Sequence, residues 1–195
     1  MKTKVLITIA LIFAFCITFK TIAQTGAAMN FDGVDDQIKF PNSTMGAFTI
    51  EFWMRTTQTG PAVTNWNGGN GIVDSEVTGT ANDYGVTLIG NKVAFGTGNP
   101  NVTLTSTTIV NTGVWVHVAA MFTSNPNGEM WLYINGNLEG YQNLGVSSNA
   151  RNIGGSIAIG SKRTDLAYYN GDIDEVRLWS KVLSTCELQS TMGCE

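Results

Sequence analysis

The chain has 195 residues, of which 15 are acidic, 11 basic and 22 glycine, and only 13% are charged. That length fits one domain able to bury a substantial core. The acidic balance excludes nucleic acid and an anionic membrane surface as natural partners, since both recruit basic surface.

Lys2 and Lys4 open the sequence, Val5 to Phe19 is an uncharged apolar run, and Thr21 and Ala23 supply small residues before a cleavage point. Residues 1–23 therefore read as a secretory signal peptide. The run of about 15 apolar residues falls short of the ~20 that a membrane span needs. Cys16 lies within that run, and Phe13-Ala14-Phe15 before it is a poor lipoprotein signature. Residues 24–195 are expected to form one exported, soluble domain with no membrane insertion. Losing Lys2, Lys4 and Lys20 leaves eight of the eleven basic residues against fifteen acidic ones, a net charge near −7.

The mature sequence carries strand signals nearly throughout. "AFTIEFWMRTT" alternates, with Phe48, Ile50, Phe52 and Met54 on one face and Thr49, Glu51, Trp53 and Arg55 on the other. The stretch 60–79 is looser and rich in Gly and Asn, with a strand expected around Gly71 to Asp74. "YGVTLIGNKVAFGTG" reads as two strands about a tight Gly90-Asn91 turn. "VWVHVAAMFT" sends Val116, Val118, Ala120 and Phe122 to one side. "GEMWLYINGNLEGY" repeats the hairpin pattern around Asn135-Gly136-Asn137, and "GSIAIGSK" and "IDEVRLW" supply two more strands. Such spacing, with turn residues between, indicates a sandwich or jelly roll rather than βαβ units. The one helix signal is at the end, where Ser184 with Glu187 makes a capping box and starts a helix near Thr185. Cys186 and Cys194 are expected to pair in an oxidising compartment. A helix running from one to the other would hold their Cα atoms about 12 Å apart, beyond the reach of a disulfide, so the helix must stop, and Gly193 is placed to reverse the chain.

"MNFDGVDDQIKF", "FTIEFWMRTT", "GVWVHVAAMFTSNPNGEMWLYINGNLEG" and "GDIDEVRLWSKVLSTCEL" occur in that order. Together they resemble the laminin G-like, concanavalin A-like lectin/glucanase domains of exported bacterial proteins, over about residues 28–190. The resemblance implies an all-β fold: a two-sheet antiparallel β-sandwich of the jelly-roll type, with its first and last strands adjacent and one short C-terminal helix. It implies a secreted, non-catalytic module that binds a glycan or a glycosylated cell surface. The alternatives are a glycoside hydrolase of the same fold, and a protein-binding or spacer module of a larger extracellular protein, since the fold hosts all of these.

Three carboxylates in "NGDIDEVRLW" test those alternatives. Retaining glycosidases hold two carboxyls about 5–5.5 Å apart in a cleft. The fold's hydrolases do this with a Glu-x-Asp-x-(x)-Glu strand, which this sequence lacks. Asp172 and Asp174 have a two-residue spacing, but sit at the entry of the last strand. His117 is the only histidine and shows no nucleophile beside it. No catalytic residue is therefore assigned. Relatives bind calcium between the start of the last strand and the first strand; the equivalent ligands here are Asp32, the carbonyl of Gly33, and Asp174, with Asp35 and Asp36 as additional oxygens. The competing reading is that Asp32 and Asp174 cap turns. Glu175 points alongside Arg177, and Glu51 and Arg55 share the alternate face of their own strand, so a cross-strand charge ladder is expected with Glu175 as an ion-pair member, and Asp172 is expected to serve a turn.

The alternate strand face keeps Trp53, Trp115, His117, Trp131, Tyr133, Arg177 and Trp179, too aromatic for plain solvent surface. Loops and a short third sheet covering it as a second core is the favoured reading; an open carbohydrate platform is the other. Two loop clusters combine flat rings with planar polar groups, as sugar recognition requires. One is Asn65, Trp66 and Asn67, joined by Asp83 and Tyr84. The other is Asp165, Tyr168 and Tyr169 with Asn170.

Overall fold

A computed structural model describes residues 26–42, 46–77, 79, 82–124, 127–145, 155–164 and 166–193. The expected signal segment, Asp165 and Cys194 lie outside the described residues. In chain order the strands are β1 (Met29–Asp32), β2 (Ile38–Pro41), β3 (Phe48–Arg55), β4 (Asn70–Asp74), β5 (Tyr84–Ile89) and β6 (Lys92–Thr97). β7 (Val102–Thr105), β8 (Val116–Thr123), β9 (Glu129–Ile134), β10 (Asn137–Asn143), β11 (Ser156–Ile159) and β12 (Asn170–Trp179) follow, and helix α1 (Thr185–Thr191) is last.

They form two antiparallel six-stranded sheets. One has the order β1-β12-β3-β8-β9-β10 and the other β2-β11-β4-β5-β6-β7. The first and last strands are adjacent, with Met29 opposite Ile173 and Asp32 opposite Asn170. The sandwich core fills with the alternating residues that the sequence marked. Phe48, Ile50, Phe52 and Met54 of β3 and Val118, Ala120 and Phe122 of β8 meet Tyr84, Val86, Leu88, Val93 and Phe95 of the facing sheet. Phe48 stacks between Tyr84 and Phe122 at centroid distances of 4.6 and 5.5 Å. Aromatic pairs in this range add to the burial term that holds sandwiches together.

Both tight hairpins are present. Gly90 turns β5 into β6 at φ 51°, and Asn135 and Gly136 turn β9 into β10 at φ 50° and 75°. Positive φ at those positions is what a two-residue turn needs and what Asn and Gly tolerate. The strand β7 was not expected, because "VTLT" is short and shows little amphipathic contrast. The final helix starts at its expected place: Ser184 caps it, and the Glu187 side chain accepts back from the Ser184 N–H. Among the described residues no helix is long and apolar enough to cross a membrane.

Helix α1 covers part of the aromatic outer face of the first sheet. Leu183 and Leu188 pack on Ala119 and Met121, with Trp131, Tyr133, Trp179 and Val182 around them. The part of that face under α1 is thus a second small core, as favoured, but its cover is a helix and its lead-in rather than a third sheet, and Trp53 and Trp115 lie outside it.

Candidate functional site

The loop 60–69 crosses the outer face of the second sheet and is pinned there by Trp66. Its indole rests on a pair of glycines directly opposite each other, Gly85 of β5 and Gly96 of β6. A Cβ on Gly96 would fall 1.9 Å from Cδ1 of the ring, and one on Gly85 would fall 2.7 Å from Cζ3. Only a side-chain-free ledge admits the indole. The Trp66 amide donates to Oγ1 of Thr103 (3.1 Å), and Oγ1 of Thr87 donates to the Trp66 carbonyl (2.8 Å). The ring is 1% exposed. The expectation of a ring open to a sugar is therefore corrected: Trp66 anchors the loop, because the sheet beneath it has no side chains to hold it away.

The same correction applies to three other candidates. Tyr84 is buried in the core and its hydroxyl donates to Oδ1 of Asn42 (3.1 Å). Tyr169 is buried, donates to the carbonyl of Arg55 (3.2 Å), and its phenol is pushed upward chiefly by burial. Asp83 is buried and Oδ2 accepts the Val77 N–H (2.8 Å). All three are held inside the fold by hydrogen bonds rather than presented at the surface.

The two loop clusters, far apart in sequence, meet at one rim. Lys162 Nζ donates to the carbonyl of Asn67, and the Gly71 N–H donates to the carbonyl of Ala167 (2.9 Å). Nε2 of Gln58 donates to the Tyr168 carbonyl (3.1 Å), and its Oε1 accepts the Asn170 N–H (3.0 Å). Asn65, Asn67, Leu166 and Asn170 are exposed on this rim, and Tyr168 and Lys162 are half-buried. On the other flank of the loop, Val63, Thr64, Ile89, Lys92 and Thr105 line a shallow groove. Lys162 was missed from the sequence, and so was Asp74 behind it. The signal for Asp74 was available, since a lone carboxylate ends the apolar run "GIVD".

Asp74 is fully buried at the end of β4. Its Oδ1 accepts the N–H groups of Glu76 (2.9 Å) and Arg163 (3.0 Å), while Oδ2 has no hydrogen-bond partner. Burial pushes its carboxyl up to about 7, against the pull of those two amides.

The carboxylates of the first sheet resolve differently from expectation. Asp172 is no turn residue: it lies in β12 and takes Nε and Nη2 of Arg55 (both 2.8 Å) and Nδ2 of Asn30 (2.9 Å). Partial burial works to raise its carboxyl, and Asn30 and Arg55 outweigh that. Arg55 also sits 5.0 Å from the Trp115 ring centroid, a cation–π distance. Glu175 pairs with Arg177 as expected. Glu51 faces Arg177 across the β3–β12 ladder, with Nη1 4.0 Å from Oε1, as the cross-strand ladder expects, but not at the surface. It is buried under α1, taking Nε1 of Trp179 and Oγ1 of Thr191 (both 2.8 Å), with Nε2 of His117 3.4 Å away.

For calcium, the turn after β1 gathers Asp32, Asp35 and Asp36, whose carboxylate oxygens lie within 4.8 Å of one another. Hard oxygens at that spacing are chemically suited to the ion. Asp174 does not join them. The β1 ladder ends at Ile173, and Asp32 faces Asn170, so Asp174 is four residues, about 13 Å, further along β12. Asp174 instead accepts the Glu175 N–H (2.8 Å) at a bulge in the pairing of β12 with β3. Of the expected cysteine pair, Cys186 is exposed on α1, and Cys194 is outside the described residues.

Solved structures with this fold include domain 4 of an extracellular arabinanase from Geobacillus stearothermophilus, in complex with arabinotriose. It is 19% identical with a TM-score of 0.62, over 87% of this chain and 78% of that one. A heptameric SAP-like pentraxin from Limulus polyphemus is 16% identical with a TM-score of 0.59, over 84% and 80%. Mouse laminin α1 domains LG4-5 are 15% identical with a TM-score of 0.58, over 77% of this chain. The match spans 40% of that laminin chain. No curated protein matches the sequence. The family description "Concanavalin A-like lectin/glucanases superfamily" matches residues 32–189, and the chain belongs to that family.

Proposed function

We propose that the chain is a non-catalytic carbohydrate-binding module, exported after loss of residues 1–23 and acting on a glycan or glycosylated surface through the rim where loops 60–69 and 162–170 meet. The observation that carries this reading is the junction itself. Two segments rich in amide and aromatic groups are bonded to each other through Lys162 and Asn67, and the second is tied to β4, into which the first leads, through Gly71 and Ala167. They present Asn65, Asn67, Lys162 and Tyr168 together on a rigid sheet. Similar folds that carry sugar, such as the arabinanase domain with arabinotriose, support it. The buried state of Asp74 and Glu51 supports a binding role over hydrolysis, because neither carboxylate faces a cleft that admits a sugar. The decisive measurement is a glycan array with wild-type protein and Tyr168→Ala. Wild type is expected to bind at least one glycan class, and the variant to lose at least tenfold in affinity with its melting temperature within 2–4 °C of wild type. An array without hits would sink the reading and favour a spacer.

A structural calcium ion at Asp32, Asp35 and Asp36, with the Gly33 carbonyl, is also proposed. Calcium is expected to raise the melting temperature, and Asp36→Asn to remove that rise. Identical melting in calcium and in chelator would dispose of it.

A further inference from the structure

Asp74 lies behind the rim and binds two of the segments beside it. Its Oδ1 holds two backbone N–H groups from different segments, Glu76 after β4 and Arg163 after β11. Its Oδ2 has no hydrogen-bond partner and faces Gly85 and the benzene edge of Trp66. A Cβ built on Gly85 would lie 2.4 Å from Oδ2 and 2.7 Å from the ring. One side chain therefore staples the Lys162–Arg163 segment and the segment after β4 to the same strand, next to the ledge that seats the loop anchor.

The charged groups acting on it are Glu76 and Lys162, and Glu76 in turn feels Lys162, Asp83 and Arg163. Lys39 of β2 is further off, opposite Ala158, which itself pairs with Asp74. A neutral carboxyl suits this corner: Oδ1 keeps both amides, and a protonated Oδ2 rests against apolar atoms. An ionised one leaves a fully buried charge with no donor on Oδ2, a poorly compensated burial. Water is the available relief. β5 and β11 are hydrogen-bonded to β4 on either side, so water comes to Oδ2 from the outer face, past the Trp66 loop or where 75–77 or 161–164 lifts away.

We propose that Asp74 is a positioning residue for the rim, and that its ionisation releases the Lys162–Arg163 segment and weakens ligand binding. The binding half rests on the glycan-rim reading above; the release of the segment does not.

Amide hydrogen exchange on the whole protein from pH 5.5 to 8.5, corrected for intrinsic rates, tests the release. Protection of the Arg163 and Glu76 N–H groups is expected to fall at least tenfold through this range in wild type. It should stay level in Asp74→Asn, which keeps an Oδ1 acceptor and cannot ionise. Carbon-13 NMR of the wild-type Asp74 carboxyl reads its ionisation midpoint with no variant required. Level protection in wild type, an equal fall in Asp74→Asn, or a carboxyl midpoint in the usual aspartate range overturns the proposal. A fall abolished by Glu76→Gln but not by Asp74→Asn overturns it too, by moving the switch to Glu76. A glycan array at pH 6 and pH 8.5 should show signal lost at the higher pH in wild type and retained in Asp74→Asn. No binding at either pH would remove the glycan reading, while exchange would still decide the role of Asp74.

Discussion

Each outer face of the sandwich buries a carboxylate, and the two behave oppositely. Under α1, Glu51 meets Trp179 and Thr191 through separate oxygens, with His117 close by. Burial works to raise its carboxyl, yet His117, Thr191 and Trp179 together hold it below the usual range. Beside the Trp66 loop, Asp74 receives two amides on one oxygen and nothing on the other, and its carboxyl rises to about 7. Burial alone does not decide the charge of an acid; the number and placement of donors does. The first face is therefore a closed knot that holds a helix. The second is held by a single anchor and a carboxyl that prefers its proton.

Three changes break or sharpen this contrast. The largest effect is expected from Trp66→Ala, which empties the glycine ledge. Chemical denaturation should show a loss of about 3–5 kcal/mol. A loss under 1 kcal/mol would mean that the loop does not depend on its anchor. Glu51→Ala should follow, at about 3 kcal/mol, since it strands the Trp179 and Thr191 donors and loosens α1. Near-UV circular dichroism of the aromatic cluster should weaken in parallel, and an unchanged spectrum would contradict the latch.

The gentlest is a slope. Asp74 keeps its proton in the folded state up to about 7, while the unfolded chain releases it near the ordinary 3.8. Between those values the folded state binds the extra proton. Stability from this group therefore falls as pH rises through the window, by at most about 1.4 kcal/mol per pH unit. Glu51, shifted downward, contributes the opposite slope on the acid side, where stability falls as its carboxylate protonates. Denaturant melts of wild type and Asp74→Asn from pH 4 to 8 should diverge toward the acid end of this range, where wild type alone gains. Parallel curves would refute the linkage.

The sandwich was legible because strict alternation in β3 and β8 leaves few ways to bury Phe48, Ile50, Val118 and Phe122 other than two facing sheets. The hairpins were legible because Gly90 and the Asn135-Gly136 pair suit turns that few other residues tolerate. The site was legible only as a neighbourhood. Trp66 and Tyr168 share the composition of a sugar platform, but sequence does not reveal that Gly85 and Gly96 align across two strands into a ledge that swallows one of the two rings. Register also decided the metal reading: "FDG" and "DID" lie on neighbouring strands, yet the ladder offsets Asp174 from Asp32. Which side a lone acid such as Asp74 faces depends on the bulge between Gly71 and Val73, a detail of pairing that residue types do not encode.

Because β1 and β12 run antiparallel as neighbours, the leading end of the one and the trailing end of the other emerge at the same edge of the molecule. Tension applied between those two ends would open their ladder one rung at a time rather than shear it in a single step. Opening of the four-rung β1 ladder would then run from Met29 and Ile173 toward Asp32 and Asn170, so its last rung is the one that reaches the rim.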